Sequence, residues 1–431
     1  MAISSLVMPH VAAFISSPFW RNRKRSWHRV KRALLRRPPT ITVFIHINDP
    51  YSYLLLQVLP SFMRRFHLKL VVKPILQRKQ EMFPEPEMWQ AYALEDAQQL
   101  AELYDLKQPH AILLSDEQIQ LASQKLLEKG DNIVEMMKVY ESCYEQALGS
   151  DQSIANPVTQ LYENQALLER LGHYASAMIY FDGEWFWGLD RLDHLERCLN
   201  SQGLNASVAN VNFDKTYAHL FGKKAPQPEN FSLDFYWSAR SPYSYIALQR
   251  TIELAHFHKI ELNIKPVLPM VMRDLPVPTP KKMYIFHDTK REAEKLNIDY
   301  GKVADPLGKA VENCYALVDY ARKEHKLESY LISFANAVNN EGIRAHSNSG
   351  LKYIVERCGL NWEEAQNYLN GRQWAHWADH NLQDLYSLGL WGVPSYHLKN
   401  KQGDDVIAWG QDRLWRLEKV LLDESDKSKT A

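Results

Sequence analysis

One serine of the chain stands where a hydroxyl group can act on a bound thiol. Ser241 follows a short β-prone run, and Pro242 after it opens an apolar helical pattern. A helix start leaves N–H groups without partners and carries a partial positive charge, and a proline in the first turn sacrifices no useful N–H. A thiolate docked there is stabilised when the serine hydroxyl donates a hydrogen bond to it. A thiol bound at such a place would have a lowered pKa.

The chain's own thiols do not form a comparable site. The cysteines contain no CxxC pair, and no group of His and Cys residues has the spacing of a zinc site. We expect the cysteines to be packing residues and the protein to bind no metal. The four cysteines are Cys143, Cys198, Cys314 and Cys358. The histidines expected to be structural or exposed are His287, His346, His376 and His380.

The segment around Ser241 has a counterpart in the first half of the chain. Pro50-Tyr51-Ser52-Tyr53 repeats Pro242-Tyr243-Ser244-Tyr245, with a β-prone run before it and a helical pattern after it. A second proline follows 24 residues after the first in both halves, at Pro74 and Pro266. The later matches pair Trp187 to Leu192 with Trp409 to Leu414, Asn164 with Asn381, and Gly172 with Gly389. Several matches in one order indicate a duplication.

Both halves predict the same order of elements. Each reads as strand, helix, strand, a long helical insertion, a strand hairpin and a final helix, and a strand–helix–strand start implies a right-handed parallel crossover. Asp182-Gly183 and a turn centred on Gly403 mark the two hairpins. We therefore predict an α/β protein with a basic segment at 1–40, a first domain at 41–202, a linker at 203–230 and a second domain at 231–424.

The second domain resembles a known family. It is similar to the helically inserted thioredoxin-fold branch of DsbA-like proteins, and within it to 2-hydroxychromene-2-carboxylate isomerases and kappa-class glutathione transferases. The first domain resembles the same family weakly, so the implied fold is two tandem thioredoxin-like domains, each with a helical insertion. The resemblance covers roughly Leu233 to Leu422 and rests on Asp234-Phe235-Tyr236, Ser241 to Tyr245, Lys281 with Tyr284 and Asp288, Gly392-Val393-Pro394, and Trp409 to Leu414.

The resemblance implies a glutathione-dependent transferase or isomerase with glutathione as cosubstrate. The substrate would be a small electrophile or an aromatic-derived compound. Ser241 inherits the family's catalytic position, Pro394 is expected to be cis, and the Val393 backbone to bind the cysteinyl part of glutathione. The helix start expected to hold the γ-glutamyl end is Gln411, Asp412 and Arg413. Asp412 equally suits a helix cap.

Three further residues are candidate contacts to glutathione or substrate. They are Ser244, Lys281 and Trp391. Lys281 equally suits an ordinary surface lysine, and Trp391 equally suits packing around the hairpin next to the cis-proline loop.

The chain also departs from the family pattern. Disulfide exchange needs two cysteines where Ser241 and Ser244 stand, so this chemistry is excluded there. Asp49 replaces Ser241 in the first domain, and Ala177 replaces Pro394 there. That domain is therefore predicted to have lost the ligand site and to form an internal pseudo-dimer with the second. A non-catalytic thioredoxin-fold binding or scaffold protein is the alternative function.

The start of the chain is basic. Nine Lys or Arg residues and no acid lie between Arg21 and Arg37, although the 431-residue chain has no formal net charge. Because the net charge is zero, we expect no overall attraction to nucleic acid. Because the apolar stretch precedes the basic run, unlike in a secretory signal, we expect a cytoplasmic protein. The run suits a helix docked on an acidic flank. Trp27, Val30 and Leu34 form a thin apolar stripe. Weak membrane-surface contact through 21–37, or contact with nucleic acid, is the sharper interpretation of the run.

Overall fold

The structure is a computed structural model that describes residues 2–76, 80–112, 114–147, 158–206, 208–217 and 221–427. The chain divides into two compact units. The first unit comprises Asn22–Ala218 with Pro278–Tyr284. The second unit comprises Met1–Arg21, His219–Val277 and Ile285–Ala431.

Two helices precede the first strand. They are α1 (Ala2–Ser16) and α2 (Pro18–Leu34), and α2 contains most of the basic run. Arg25 pairs with Glu184 and Arg32 pairs with Asp182, so the helix docks on acidic side chains within the first unit, as one interpretation of the basic run expected.

The first unit is built around a four-stranded sheet. Its strands lie in the order β2-β1-β3-β4, with β1 and β2 parallel and the remaining pairs antiparallel. Its elements are β1 (Thr40–Ile45), α3 (Pro50–Arg65), β2 (Lys69–Pro74), α4 (Pro86–Tyr104), α5 (Asp116–Glu128), α6 (Ile133–Tyr144), α7 (Val158–Arg170), β3 (Met178–Phe181), β4 (Glu184–Trp187) and α8 (Leu192–Ser201).

The second unit contains a sheet of the same order, β6-β5-β7-β8. As in the first unit, the first two strands along the chain, β5 and β6, are parallel. The other pairs, β5 with β7 and β7 with β8, are antiparallel. Its elements are β5 (Phe231–Trp237), α9 (Pro242–His258), β6 (Glu261–Pro266), α10 (Thr279–Lys295), α11 (Lys309–Ala316), α12 (Val318–Lys323), α13 (Leu327–Asn336), α14 (Asn348–Arg357), α15 (Trp362–Ala365), α16 (Gln373–Ser387), β7 (Ser395–Asn400), β8 (Val406–Trp409) and α17 (Leu414–Lys427).

Burial follows strand position. Six of the seven residues of β5 are buried, because this central strand is covered on both faces, whereas the edge strand β6 buries only two. Phe235 of β5 stacks on Tyr396 of β7 with ring centroids 5.3 Å apart. The β-prone runs of the sequence therefore become the core of each sheet.

The predicted element order is present in both halves, with breaks inside the helical insertions. Within the helical insertion predicted for the first half, α5 and α6 are separate helices because Gly130 takes a positive φ and Asn132 caps the next helix. The helical insertion of the second half is likewise divided into several shorter helices. A composition rich in helix-forming residues does not show where one helix ends and the next begins.

Candidate functional site

Ser241 caps the N-terminus of α9. Its Oγ accepts a hydrogen bond from the Ser244 N–H at 3.2 Å, and Pro242 occupies the first helical turn. The Ser241 hydroxyl donates to the carbonyl oxygen of Val393, also at 3.2 Å. The side chain is half-buried, so the hydroxyl is within reach of solvent. The fold thus brings together two residues that lie 152 positions apart in the sequence.

The loop opposite Ser241 contains the expected cis bond, between Val393 and Pro394. The Pro394 carbonyl accepts from the Gly410 N–H at 3.0 Å. The Ser395 hydroxyl donates to the Gly392 carbonyl at 2.8 Å. In the described part of the chain, the Val393 N–H makes no hydrogen bond. The residue whose carbonyl accepts from Ser241 thus also carries a backbone donor without a partner in the described residues.

Two indole rings pack against this loop. Trp391 is 2% exposed and packs on Trp409 with ring centroids 4.6 Å apart. A Cβ added at Gly392 would lie 2.6 Å from the Trp409 ring, so only glycine fits between loop and ring. Arg273 Nη2 donates to the Trp391 carbonyl at 2.9 Å. The structure therefore places Trp391 in the packing that positions the loop.

The Gln411-Asp412-Arg413 segment is buried. Gln411 accepts from Arg250 Nη1 at 3.1 Å and donates to Glu292 at 2.7 Å. Arg413 Nη1 lies 3.3 Å from an Asp412 carboxylate oxygen. These contacts position the start of α17, and the predicted glutathione contacts of the three residues stay predictions.

The other two candidate contacts lie in different surroundings. Ser244 is fully buried, and its Oγ accepts from the Ser238 N–H at 3.4 Å. Lys281 belongs to the first unit, where its Nζ donates to the Met82 carbonyl at 2.7 Å. Burial lowers the pKa of Lys281 to about 8. Of the predicted contacts, the structure therefore brings Val393 to Ser241, whereas Ser244 and Lys281 make hydrogen bonds to other backbone groups.

Two arginines of the site region were not predicted. Arg273 holds the Trp391 carbonyl, and Arg250 holds both the carbonyl and the side chain of Gln411. Each partner lies more than 100 positions away in the sequence. Arginine occurs so often on helix surfaces that its type and spacing carry no signal of such a role.

The equivalent place in the first unit has different chemistry. Asp49 caps α3, and its carboxylate accepts from the Tyr51 N–H at 3.1 Å and from the Ser52 hydroxyl at 2.7 Å. Ala177 takes a positive φ of 54°, and its carbonyl accepts from the Gly188 N–H at 2.8 Å. The backbone bond is the same as that of Pro394, but a carboxylate replaces the hydroxyl donor.

The cysteines are poorly suited to thiolate chemistry. Burial raises the pKa of Cys143 to about 12 and also raises the pKa values of Cys314 and Cys358. Cys198 is buried as well. Because the thiolate is the reactive form, these thiols are weak nucleophiles at neutral pH.

Part of the second unit matches a known protein family. Residues 232–422 match the model of the DSBA-like thioredoxin domain. The 2-hydroxychromene-2-carboxylate isomerase of Sphingobium xenophagum is 25% identical over 208 residues, which cover 44% of this chain and 98% of that protein. The enzyme of the same name from Pseudomonas putida is 26% identical over 201 residues, 44% of this chain and 93% of that protein.

Solved structures are similar over one domain as well. A 2-hydroxychromene-2-carboxylate isomerase matches at 23% identity and a TM-score of 0.38, over 44% of this chain and 93% of that one. The cytosolic disulfide reductase DsbM from Pseudomonas aeruginosa, solved with GSH, matches at 17% identity and a TM-score of 0.33, over 44% of this chain and 98% of that one.

Proposed function

We propose, on the premise that residues 232–422 form a DSBA-like thioredoxin domain, that this domain activates glutathione for reaction with a small electrophilic substrate. The observation that carries the proposal is the hydroxyl of Ser241 at the N-terminus of α9, facing the loop that holds Val393 and Pro394. The names of the curated relatives favour an isomerisation, with 2-hydroxychromene-2-carboxylate or a similar aromatic-derived compound as substrate.

Ser241 would act as a hydrogen-bond donor to the thiolate. Its Oγ keeps the bond from the Ser244 N–H while the O–H turns about the Cβ–Oγ bond, away from the Val393 carbonyl and toward the sulfur. The partial positive charge of the α9 N-terminus favours the same thiolate. A charge-assisted hydrogen bond of about 1.5–3 kcal/mol corresponds to a fall of about one to two units in the thiol pKa.

The Val393 backbone would hold the peptide part of glutathione. Its N–H is a donor without a partner in the described residues, and the half-buried residue borders Ser241. Bound glutathione would supply the nucleophilic sulfur, which adds to the electrophilic carbon and, in an isomerisation, leaves again. The chain's own side chains supply neither a redox pair at this place nor an exposed reactive thiol in the described part.

The first unit is proposed to be a degenerate tandem copy. Equivalent buried bonds support this: Asn164 donates to the Pro74 carbonyl at 2.9 Å and Asn381 to the Pro266 carbonyl at 3.0 Å. The Tyr51 hydroxyl donates to Asp96 at 2.8 Å and the Tyr243 hydroxyl to Asp288 at 2.7 Å. With Asp49 in place of serine, a thiolate would meet a negative charge, so the proposal assigns one glutathione site per chain.

Glutathione binding by calorimetry tests the proposal. Wild-type protein is expected to bind glutathione, and ultraviolet absorbance of the thiolate against pH gives the pKa of the bound thiol. Ser241→Ala should raise that pKa by about one unit or more and slow turnover about 10- to 100-fold.

Ser347→Ala is the matched control. Ser347 caps α14 and accepts from the Gly350 N–H at 3.1 Å, so its loss removes the same kind of cap and costs about 1 kcal/mol of stability. Its glutathione binding should equal that of wild type. Absence of binding by wild type at millimolar glutathione would refute the proposal and favour a non-catalytic binding protein.

A further inference from the structure

Exposed apolar side chains are concentrated at the start of the chain. Of the sixteen large hydrophobic residues that are exposed in the described ranges, ten lie between Val7 and Leu35. Scattered exposed apolar residues are ordinary, but a contiguous set marks a binding surface. The ten residues are Val7, Met8, Val11, Phe14, Phe19, Trp20, Trp27, Val30, Leu34 and Leu35.

Helix α2 docks through its polar face. Arg25 pairs with Glu184, Arg32 pairs with Asp182, and Lys24 donates to the Gly183 carbonyl at 2.6 Å. The Arg32 guanidinium also lies over the Phe181 ring, 5.3 Å from its centroid. Arg25 and Arg32 are seven residues apart and therefore share a face of the helix. Charged side chains thus attach α2 to the first unit.

The apolar stripe of α2 faces solvent. Trp20, Trp27, Val30 and Leu34 follow one another at seven, three and four residues, so they share the face opposite Arg25 and Arg32. Trp27 is 66% exposed and Leu34 is 80% exposed. A surface helix normally buries such a stripe, but no side chain of α2 is buried. The polar face of α2 therefore contacts the protein, and its apolar face is exposed to solvent and available to a partner.

Helix α1 presents a second apolar set. Val7, Val11 and Phe14 follow at four and three residues and are exposed, whereas Pro9 is buried. The rings of Phe14 and Trp20 are in contact, with centroids 5.3 Å apart.

The charge around the stripe is entirely positive. No acidic residue precedes Asp49, and nine Lys or Arg residues lie between 21 and 37. Arg23 and Lys31 are exposed and lie four residues before and after Trp27, so they share the face of the stripe, with Arg23 within it and Lys31 at its edge. Basic residues beside exposed tryptophan and leucine are typical of helices that lie in the headgroup region of a membrane.

We propose that the outward face of α2 binds the surface of a lipid bilayer that contains anionic lipid. Apolar side chains reach the acyl boundary while Arg23 and Lys31 meet lipid phosphates. Two observations favour lipid over nucleic acid or a second copy of the chain. The face is mainly aromatic and aliphatic, and its cations Arg23 and Lys31 repel the same cations of another copy.

The docked face sets the orientation. Because Arg25 and Arg32 are held by the first unit, only the outward face can enter the headgroup layer. None of the described helices is long and apolar enough to cross a membrane. The proposal is therefore an in-plane contact.

Sedimentation of the full chain with vesicles tests the proposal. Vesicles of equal parts phosphatidylcholine and phosphatidylglycerol are compared with vesicles of phosphatidylcholine alone, and wild type should partition at least about tenfold better to the former. The variant Trp27→Ser, Val30→Ser, Leu34→Ser should lose about tenfold or more of this partition. Arg23→Gln with Lys31→Gln should weaken binding only to the anionic vesicles.

The matched control removes three exposed apolar residues elsewhere. The variant Val134→Ser, Val208→Ser, Tyr353→Ser replaces side chains of comparable exposure and should sediment like wild type. All three variants should keep the unfolding temperature of wild type, because every substituted side chain is exposed.

Four results of the binding experiments would overturn the proposal, and a fifth concerns the oligomeric state. The four are sedimentation of wild type no greater than without lipid, equal loss in the control variant, wild-type partition in the α2 serine variant, and tighter binding to duplex DNA than to anionic vesicles. A lipid-free dimer that becomes monomeric in the serine variant would also overturn it, since the face would then be covered by a second copy.

Discussion

At the residue scale, Ser241 and Asp49 show how one side chain can decide whether a site is usable. Both cap a helix that begins with proline, and both accept a hydrogen bond from the first turn. Only Ser241 has a proton to donate, and it donates to Val393. Asp49 instead accepts from Ser52. Under the proposed function, the cap with a hydroxyl donor would suit a thiolate, whereas the cap with a carboxylate would repel it.

Gly392 gives a prediction at the same scale. Gly392→Ala should destabilise the second unit by about 1–3 kcal/mol, because the added carbon would lie 2.6 Å from the Trp409 ring, which is packed against Trp391. Urea unfolding followed by tryptophan fluorescence measures the loss. Glutathione binding should weaken as well, since the displaced loop carries Val393.

Gly371→Ala provides the comparison. The nearest atom to its added carbon is the Tyr368 carbonyl oxygen at 3.3 Å, so we expect a change within about 0.5 kcal/mol. Equal effects of the two substitutions would contradict the close packing assigned to Gly392.

At the element scale, one asparagine in each unit ties a helix to the end of a strand. Asn164 of α7 donates to the Pro74 carbonyl of β2, and Asn381 of α16 donates to the Pro266 carbonyl of β6. Both side chains are buried, and a proline carbonyl at a strand end has no ladder partner beyond it. The asparagines therefore satisfy backbone groups that the sheets leave open.

Substitution of either asparagine should have similar effects. Asn164→Ala and Asn381→Ala should each cost about 1–3 kcal/mol, because a buried carbonyl loses its donor. Thermal unfolding by calorimetry measures both. A loss for one variant and none for the other would count against the structural equivalence of the two units.

At the scale of the whole molecule, the balance of charge is uneven. The first 48 residues carry nine of the 51 basic residues and no acid, so the remainder has 42 basic and 51 acidic residues. An acidic body is repelled by anionic lipid, whereas the basic start is attracted to it. In the proposed membrane contact, the basic start of the chain is therefore the part that faces the lipid.

The acid stability of the molecule depends on a charge cluster in the second sheet. Asp234 lies 2.7 Å from Lys265 and 2.6 Å from Lys399, and Lys265 also pairs with Asp384. Burial alone would raise the pKa of Asp234, but the two lysine ammonium groups beside it outweigh burial and hold the pKa below its ordinary value. The pKa of Asp384 is lowered against burial in the same way, by Lys265 and Tyr236.

These pKa values predict a pH dependence. A carboxyl group whose pKa is lower in the folded state stabilises the fold above its unfolded pKa of about 4, and this contribution is lost as the pH falls further. The free energy of unfolding should therefore drop as the pH falls below about 4. Asp234→Asn should lower stability at pH 7 by about 1–3 kcal/mol and flatten this drop.

Urea titrations at several pH values measure the effect. Asp299→Asn, at an exposed acid of the same unit, is the control and should keep the wild-type slope. An acid-induced loss that is as steep in Asp234→Asn as in wild type would contradict the role of the cluster.

The sequence by itself determined the features that depend on neighbouring residues. Two series of β-prone runs and helical patterns predicted the element order of the two halves, because these patterns are local properties. Ser241 before Pro242 predicted a helix start, since the start of a helix depends on the residues of one turn. The cis bond at Pro394 followed from resemblance to a family, and the structure has it.

Only the tertiary structure decided where side chains point. It placed Gln411 and Arg413 inside the protein, gave Lys281 a backbone partner in the first unit, and directed Arg273 to the loop beside Ser241. It also turned the apolar face of α2 outward, although the stripe of Trp27, Val30 and Leu34 was visible in the sequence. The physical reason is that burial and long-range hydrogen bonds depend on segments that approach one another only when the chain is folded.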